Sequence, residues 1–248
     1  MTTDSGPIRV AMWSGPRNIS TALMRSWEAR GDTSVWDEPF YAHYLLVTGR
    51  EHPGREEIIR SYETDWRRIA DQLTGPIPGD RRIFYQKHMA HHLLPGMVGP
   101  WLFSLRNAFL IRDPKEMLVS LARVTAQPSL QDTGLPQQWE LFEYLQQHQE
   151  SAVVDAADVL RAPEIMLRRL CERLDVPFSP KMLSWAPGPR SSDGIWAKYW
   201  YASVEASSGF RPYISHSEAL PAGLRDVYEQ CLPYYERLYQ HRIVSDSN

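Results

Sequence analysis

Short apolar runs alternate along this chain with longer stretches in which apolar residues recur every three or four positions. The run 8–13 (Ile8-Arg9-Val10-Ala11-Met12-Trp13) predicts a first strand. The turn 14–19 follows, and a helix begins near Ser20 with Leu23, Met24 and Trp27 on one face. A second strand is expected over 33–36, ending in Asp37-Glu38-Pro39. Helical spacing then runs to about Leu73, with Ile58, Ile59, Tyr62, Trp66, Ile69 and Leu73 on a common face. Further strands are expected at 83–85, 108–111 and 152–154. Helices are expected after Pro114 (Met117, Leu118, Leu121, Val124), over about 163–174, and over about 220–241. The stretch 184–211, rich in Gly, Ser, Pro and aromatics, reads as a long ordered loop. Strands that alternate with helices predict an α/β domain with a mainly parallel sheet.

The chain has 248 residues, enough for one such domain with a full core, and no repeat or low-complexity block divides it. The expectation is therefore a single domain over 1–248. Hydrophobic residues make up 43% and charged residues 23%, which excludes a largely disordered or collagen-like chain. With a net charge of −3, bulk attraction to nucleic acid or to an anionic membrane is not expected. The cations are 23 Arg and only 4 Lys, so a local guanidinium cluster that grips a small anion remains open. Cys171 and Cys231 lie in apolar helical patterns and read as reduced core thiols. No run reaches membrane-spanning length, and Met1 to Pro7 is polar; the expectation is a cytoplasmic protein, monomer or homodimer.

In open parallel sheets, ligands sit beyond the carboxyl ends of the strands. Four expected strand ends carry polar residues: Gly15-Pro16-Arg17-Asn18-Ile19-Ser20-Thr21, Asp37-Glu38, Lys87-His88 and Arg112. The first loop, at a strand-to-helix junction, offers amides and a positive helix end to an anion; an ordinary helix cap is the equal alternative. It lacks the Gly-Lys-Ser/Thr of a Walker A loop. His88 suits a general base, although taken alone a strand-end histidine reads first as a structural one. His88, His91 and His92 have metal-ligand spacing without an HExxH or cysteine partner. Arg112 with Ser120 two turns later can clasp a phosphate, or be a surface arginine and a small packing serine. Glu38 can orient an acceptor or cap the next helix, and Trp196, Tyr199, Trp200 and Tyr201 can wall a pocket or fill core.

Together these segments resemble the sulfotransferase family, which uses 3′-phosphoadenosine 5′-phosphosulfate as co-substrate. Pro16-Arg17-Asn18-Ile19-Ser20-Thr21 resembles that family's Pro-Lys/Arg-Ser-Gly-Thr-Thr loop, with Ile19 in place of glycine and Ala22 where some members carry a stacking tryptophan. Lys87-His88 followed by Leu93-Leu94-Pro95 resembles its Lys-x-His-Leu-Pro and Leu-Leu-Pro elements, displaced by one at the lysine. Arg112, Pro114 and Ser120 match Arg-x-Pro-x-x-x-x-x-Ser in register. The stretch 153–160 resembles the family's Tyr-Glu-Asp-Leu segment.

The resemblance implies a P-loop NTPase-like three-layer fold with a central parallel sheet of about five strands flanked by helices. It implies sulfuryl transfer to a hydroxyl or amine of a small-molecule acceptor, with no metal. His88 would be the general base, assisted by Lys87 and Arg17. Gly15, Pro16, Arg17, Asn18, Ile19, Ser20, Thr21, Arg112, Ser120 and Arg190 would hold the donor. Glu38 and Phe40 are the expected acceptor contacts. The rival readings are an ATP/Mg²⁺-dependent kinase, a non-catalytic nucleotide-binding relative, and a histidine-metal hydrolase built on His88, His91 and His92.

Overall fold

In the computed structural model, which describes residues 6–215 and 219–245, five strands form one sheet. Residues Met1 to Ser5 of the polar leading segment, and the two ends of the expected 1–248 domain, lie outside the described residues. The strands are β1 (Ile8–Ser14), β2 (Thr33–Asp37), β3 (Ile83–Met89), β4 (Arg106–Ile111) and β5 (Ala152–Asp155). All pair in parallel, in the order β2-β3-β1-β4-β5. Parallel pairing requires crossovers; 3-10 turns make the one from β3 to β4, and the other connections, like the chain after β5, contain α-helices. The α-helices are α1 (Ser20–Glu28), α2 (Tyr41–Thr48), α3 (Arg55–Ser61), α4 (Trp66–Thr74), α5 (Pro114–Leu121), α6 (Leu130–Thr133), α7 (Leu135–Gln146), α8 (Ala156–Arg161), α9 (Pro163–Arg173), α10 (Ala197–Trp200), α11 (Ala202–Glu205) and α12 (Arg225–Gln240).

Strand alternation decides which side chain joins which layer. Val10, Met12, Ile83, Tyr85, Leu110 and Val154 join a core with α1, α2, α8 and α9. Ala11, Trp13, Phe109, Ile111 and Val153 join the opposite core with α4, α5, α7 and α12. Central strands buried on both faces read as continuous apolar runs, which is why they were legible.

Several boundaries differ from expectation for local reasons. The helical stretch to Leu73 is broken at Tyr62, and Asp65 caps a new helix by accepting from the Arg67 amide. The expected common face is therefore split: Ile58 packs in the first core, Ile69 and Leu73 in the second. The third strand runs to Met89 because Gln86, Lys87 and His88, polar as they are, continue the ladder beside β1. Helix α5 stops at Leu121, short of Val124. The stretch 184–211 holds the short helices α10 and α11, and the final helix begins at Arg225, after a 3-10 turn. Both cysteines are buried free thiols.

Candidate active site

The β1–α1 connection is shaped by contacts that admit only certain residues. A Cβ on Gly15 would lie 2.3 Å from the Thr133 carbonyl oxygen, so any larger residue forces the backbone to shift. The Gln138 amide bridges the Gly15 N–H (3.1 Å) and the Leu110 carbonyl (3.2 Å). Arg17 (φ 61°) and Ile19 (φ 57°) take left-handed backbone, the conformation that glycine supplies in the resembling loop. No side chain caps α1, so the ordinary-cap alternative does not describe this turn. Its positive end opens toward a cavity of about 560 Å³ lined by 16–22.

The same end of the cavity gathers guanidinium groups. Arg17 Nε donates to Ser120 Oγ at 2.9 Å, and Arg112 Nη1 donates to the Arg17 carbonyl at 2.7 Å. Glu116 Oε2 accepts from Arg112 Nε (3.2 Å) and Nη2 (3.1 Å), and Glu116 Oε1 accepts from the Tyr213 hydroxyl (2.7 Å). Pro114 opens α5, and Asp113 caps it by accepting from the Lys115 and Glu116 amides; Ser120 is thereby held against Arg17. Burial, then Arg112 and Arg123, hold the Arg17 guanidinium below its ordinary pKa. Like charges crowded in this way favour a polyanionic ligand. Arg211, from the stretch after α11, lines the cavity as well.

The other end is built by β2 and β3. Lys87 Nζ, with its side chain 1% exposed, donates to Asp37 Oδ1 (2.9 Å), Glu38 Oε1 (2.5 Å) and the Tyr201 hydroxyl (2.9 Å). The Tyr201 hydroxyl also lies 2.9 and 2.8 Å from the two Asp37 carboxylate oxygens, and the Gly194 amide donates to Asp37 Oδ2 at 3.1 Å. Glu38 adopts φ 44°, an uncommon conformation for a carboxylate residue, which swings it away from the strand direction. Burial raises the Glu38 pKa; Lys87 opposes that rise and Asp37 adds to it. Burial alone would lower the Lys87 pKa, but Asp37 and Glu38 raise it well above the ordinary value, so the ammonium stays charged. Around them stands an aromatic wall of Tyr41, Tyr44, His52, His91, His92 and Trp200, with the Arg50–Asp132 ion pair (2.5 Å) also on the lining.

The cavity thus brings together Pro16 to Thr21, Glu38, Lys87, Arg112 and Ser120. Gly15 sits behind its loop. Three expected residues lie elsewhere. His88 faces the opposite side of the sheet from Lys87, because neighbouring strand positions point to opposite faces. Its ring stacks on Trp13 at 4.1 Å, tilts on Phe40 at 5.6 Å, and its Nε2 meets Gln86 Oε1 at 3.3 Å. Burial, then Lys87, push its pKa down to about 3. Phe40 belongs to that same opposite core. Arg190 lines a separate depression with Arg25, Lys181 and Trp185 and hydrogen-bonds the Ala186 carbonyl.

With His88 on the far face, the three-histidine ligand set is not assembled. Among the described residues no group of three His, Cys, Asp or Glu side chains is arranged to hold a metal, and no helix is long and apolar enough to cross a membrane. The aromatic cluster divides: Trp196 is core, Trp200 and Tyr201 line the cavity, and Tyr199 is exposed. Sequence reasoning did not single out Arg211, Gln138 or the Tyr201–Asp37 contact. These pairings span up to 164 positions, and no local signal announces them.

A model of the sulfotransferase domain matches residues 8–242. Two curated relatives from Arabidopsis thaliana, branched-chain-amino-acid aminotransferase-like proteins 1 and 2, are 36% identical over 237 residues and 35% identical over 231 residues. The matches cover 95% and 92% of this chain but only 42% and 41% of those proteins, so the chain spans about two-fifths of their length. Among solved structures, a sulfotransferase from Alicyclobacillus acidocaldarius superposes with a TM-score of 0.58 at 14% identity, covering 97% of this chain and 98% of that one. That likeness concerns the fold.

Proposed function

The chain belongs to the sulfotransferase family and is a transferase; from that premise we propose that it moves a sulfuryl group from 3′-phosphoadenosine 5′-phosphosulfate to a hydroxyl or amine of a small-molecule acceptor, with Glu38 in place of His88 as proton acceptor. One observation carries the reading: a single cavity has a guanidinium-lined helix start at one end and a buried carboxylate paired with an ammonium at the other. The cationic end fits a nucleotide with phosphates at two positions. The turn 16–21 and Arg17 suit the 5′ group, and Arg112, Ser120 and Arg211 the 3′-phosphate.

When bound, the donor supplies an activated sulfuryl group and a phosphate leaving group. Arg17 and the α1 turn stabilise charge that develops on the leaving oxygen. Lys87 holds Glu38 Oε1 by a short charged hydrogen bond. Glu38 Oε2 then receives the acceptor's proton as the nucleophile attacks. A pKa raised by burial makes Glu38 a stronger base than an exposed carboxylate.

The test has two stages. Calorimetry with adenosine 3′,5′-bisphosphate against AMP should give binding that depends on the 3′-phosphate and is lost in Arg112→Ala. A panel of alcohols, phenols, sugars and amines with ³⁵S-labelled donor should then yield a sulfated product. Glu38→Gln should lower that transfer by about a hundredfold or more with bisphosphate affinity unchanged. Equal affinity for AMP, or an undiminished rate in Glu38→Gln, overturns the corresponding half of the reading.

A further inference from the structure

His92 lies in the 3-10 turn that follows β3, with its side chain 3% exposed. Two tyrosines of α2 hold its ring. Tyr41 stacks at 4.6 Å with planes 6° apart, and Tyr44 at 4.7 Å with planes 29° apart. A phenylalanine ring would pack there equally well. Packing leaves the nitrogen unexplained: Nδ1 is buried and, among the described residues, lacks a hydrogen-bond partner. The atom 4.0 Å from it is Glu38 Oε2, the carboxylate oxygen that Lys87 does not hold.

We propose that His92 is a positioning residue for Glu38, its Nδ1–H closing onto Oε2 so that the carboxylate stays ionised and aimed at the acceptor. This rests on Glu38 as proton acceptor. The ammonium holds one oxygen at 2.5 Å, and the imidazole Nδ1 stands 4.0 Å from the other. The spare lone pairs of Oε2 remain for the acceptor's proton. Burial first, then His91, Lys87, His88 and His52, depress the His92 pKa well below the ordinary imidazole value. A neutral ring has one N–H to place, and the approach of Glu38 Oε2 to 4.0 Å favours Nδ1. The groups that face Glu38 are Asp37 from β2, Lys87 from β3, Tyr41 from α2, Tyr201 beside α10, and His92 itself. Of these, Lys87, Tyr201 and His92 are the donors.

The experiment is a long-range ¹H–¹⁵N spectrum of the full chain labelled with ¹⁵N, the His92 ring being assigned by its disappearance in His92→Phe. The expected ring is neutral near pH 7 with its proton on Nδ1, and the Nδ1 resonance moves in Glu38→Gln. A proton on Nε2, with Nδ1 indifferent to Glu38→Gln, overturns the proposal and leaves the role of Glu38 standing. Kinetics supply the second readout, as hydrolysis of ³⁵S-labelled donor with water as the acceptor probe. His92→Phe keeps the stack and should lower kcat about tenfold at unchanged donor KM. Its acid limb should rise by about one pH unit, because the carboxylate loses a donor. His92→Asn, whose amide N–H stands near the Nδ1 position, should recover to within about threefold of the parent. Equal loss in both variants with an unmoved acid limb reduces His92 to packing. A parental rate in Glu38→Gln removes Glu38 as proton acceptor and, with it, the reaction role of His92, whatever the tautomer.

Discussion

Replacing His88 by phenylalanine separates a core histidine from a catalytic one. The ring is fully enclosed between Trp13 and Phe40, and its pKa is pushed down to about 3, first by burial and then by Lys87. In the unfolded chain an imidazole titrates near ~6.5. Between those two values the unfolded chain binds the proton and the folded one does not. Stability is therefore lost as pH falls below ~6.5, at up to ~1.4 kcal/mol per unit. From about pH 8 to about pH 5 the loss from this one group is ~2 kcal/mol.

His91, pushed down to about 4 by burial, and His92 act in the same direction. Glu38 and Asp155, the latter raised to about 6, first by burial, act in the opposite one. The total pH slope is thus a composite, and only a difference between variants isolates His88. Phenylalanine preserves the stack and removes the titration, but leaves Gln86 Oε1 without its imidazole neighbour at a cost of ~1–3 kcal/mol. His88→Phe should be less stable than the parent near pH 8, with the gap closing by ~2 kcal/mol near pH 5. Urea unfolding at the two pH values measures it. Parallel pH dependences would refute the depressed pKa. The same variant should turn over donor within about threefold of the parent; a hundredfold loss would return His88 to the chemistry.

Other expectations follow from particular contacts. Arg211→Ala should raise the donor KM by about tenfold or more, whereas Arg190→Ala, in its separate depression, should leave it unchanged; a reversed pattern would move the 3′-phosphate site. Gly15→Ala should destabilise by ~1–3 kcal/mol in thermal melts, because its Cβ would meet the Thr133 carbonyl oxygen at 2.3 Å and backbone must shift to relieve it. Tyr201→Phe should cost ~1.5–3 kcal/mol through loss of a hydroxyl bonded to both Asp37 and Lys87, and a melting temperature equal to the parent's would refute that network.

The sheet was legible because its central strands are apolar on both faces, and the strand ends were legible because polar residues cluster after each run. The same rule ends the third strand too early. Gln86-Lys87-His88 reads as the exit from a strand, yet all three are buried and the strand continues through them. Their partners explain why burial is tolerated: Gln86 donates to the Leu73 carbonyl, Lys87 meets two carboxylates and a hydroxyl, and His88 stacks on Trp13. None of those partners is near in sequence. The period-two rule, carried through the whole strand, puts Lys87 and His88 on opposite faces of the sheet. Arg190 lines a separate depression, whereas Arg211, later in the same stretch of chain, lines the cavity.

Adjacent carboxylates at the end of β2 stand in different surroundings. Asp37 Oδ1 faces Lys87 and Tyr201, and Oδ2 faces Tyr201 and the Gly194 amide. A carboxylate enclosed in this way is poorly placed to accept a substrate's proton, but it ties the segment after Gly194 onto the sheet. That segment also hydrogen-bonds His52 through the Trp200 indole and Glu116 through Tyr213, so it spans the cavity from the aromatic wall to the Arg112 end. Glu38, turned by its left-handed backbone, keeps one oxygen on Lys87 and the other toward His92 and the cavity. Lys87 serves both: the charge that stabilises the buried structural carboxylate also restrains the rise in pKa of its neighbour. Exchanging Lys87 for an uncharged residue would therefore remove the partner of Asp37 and the partner of the proposed proton acceptor together, which is why single substitutions at Tyr201 and Glu38, and not at Lys87, separate stability from turnover.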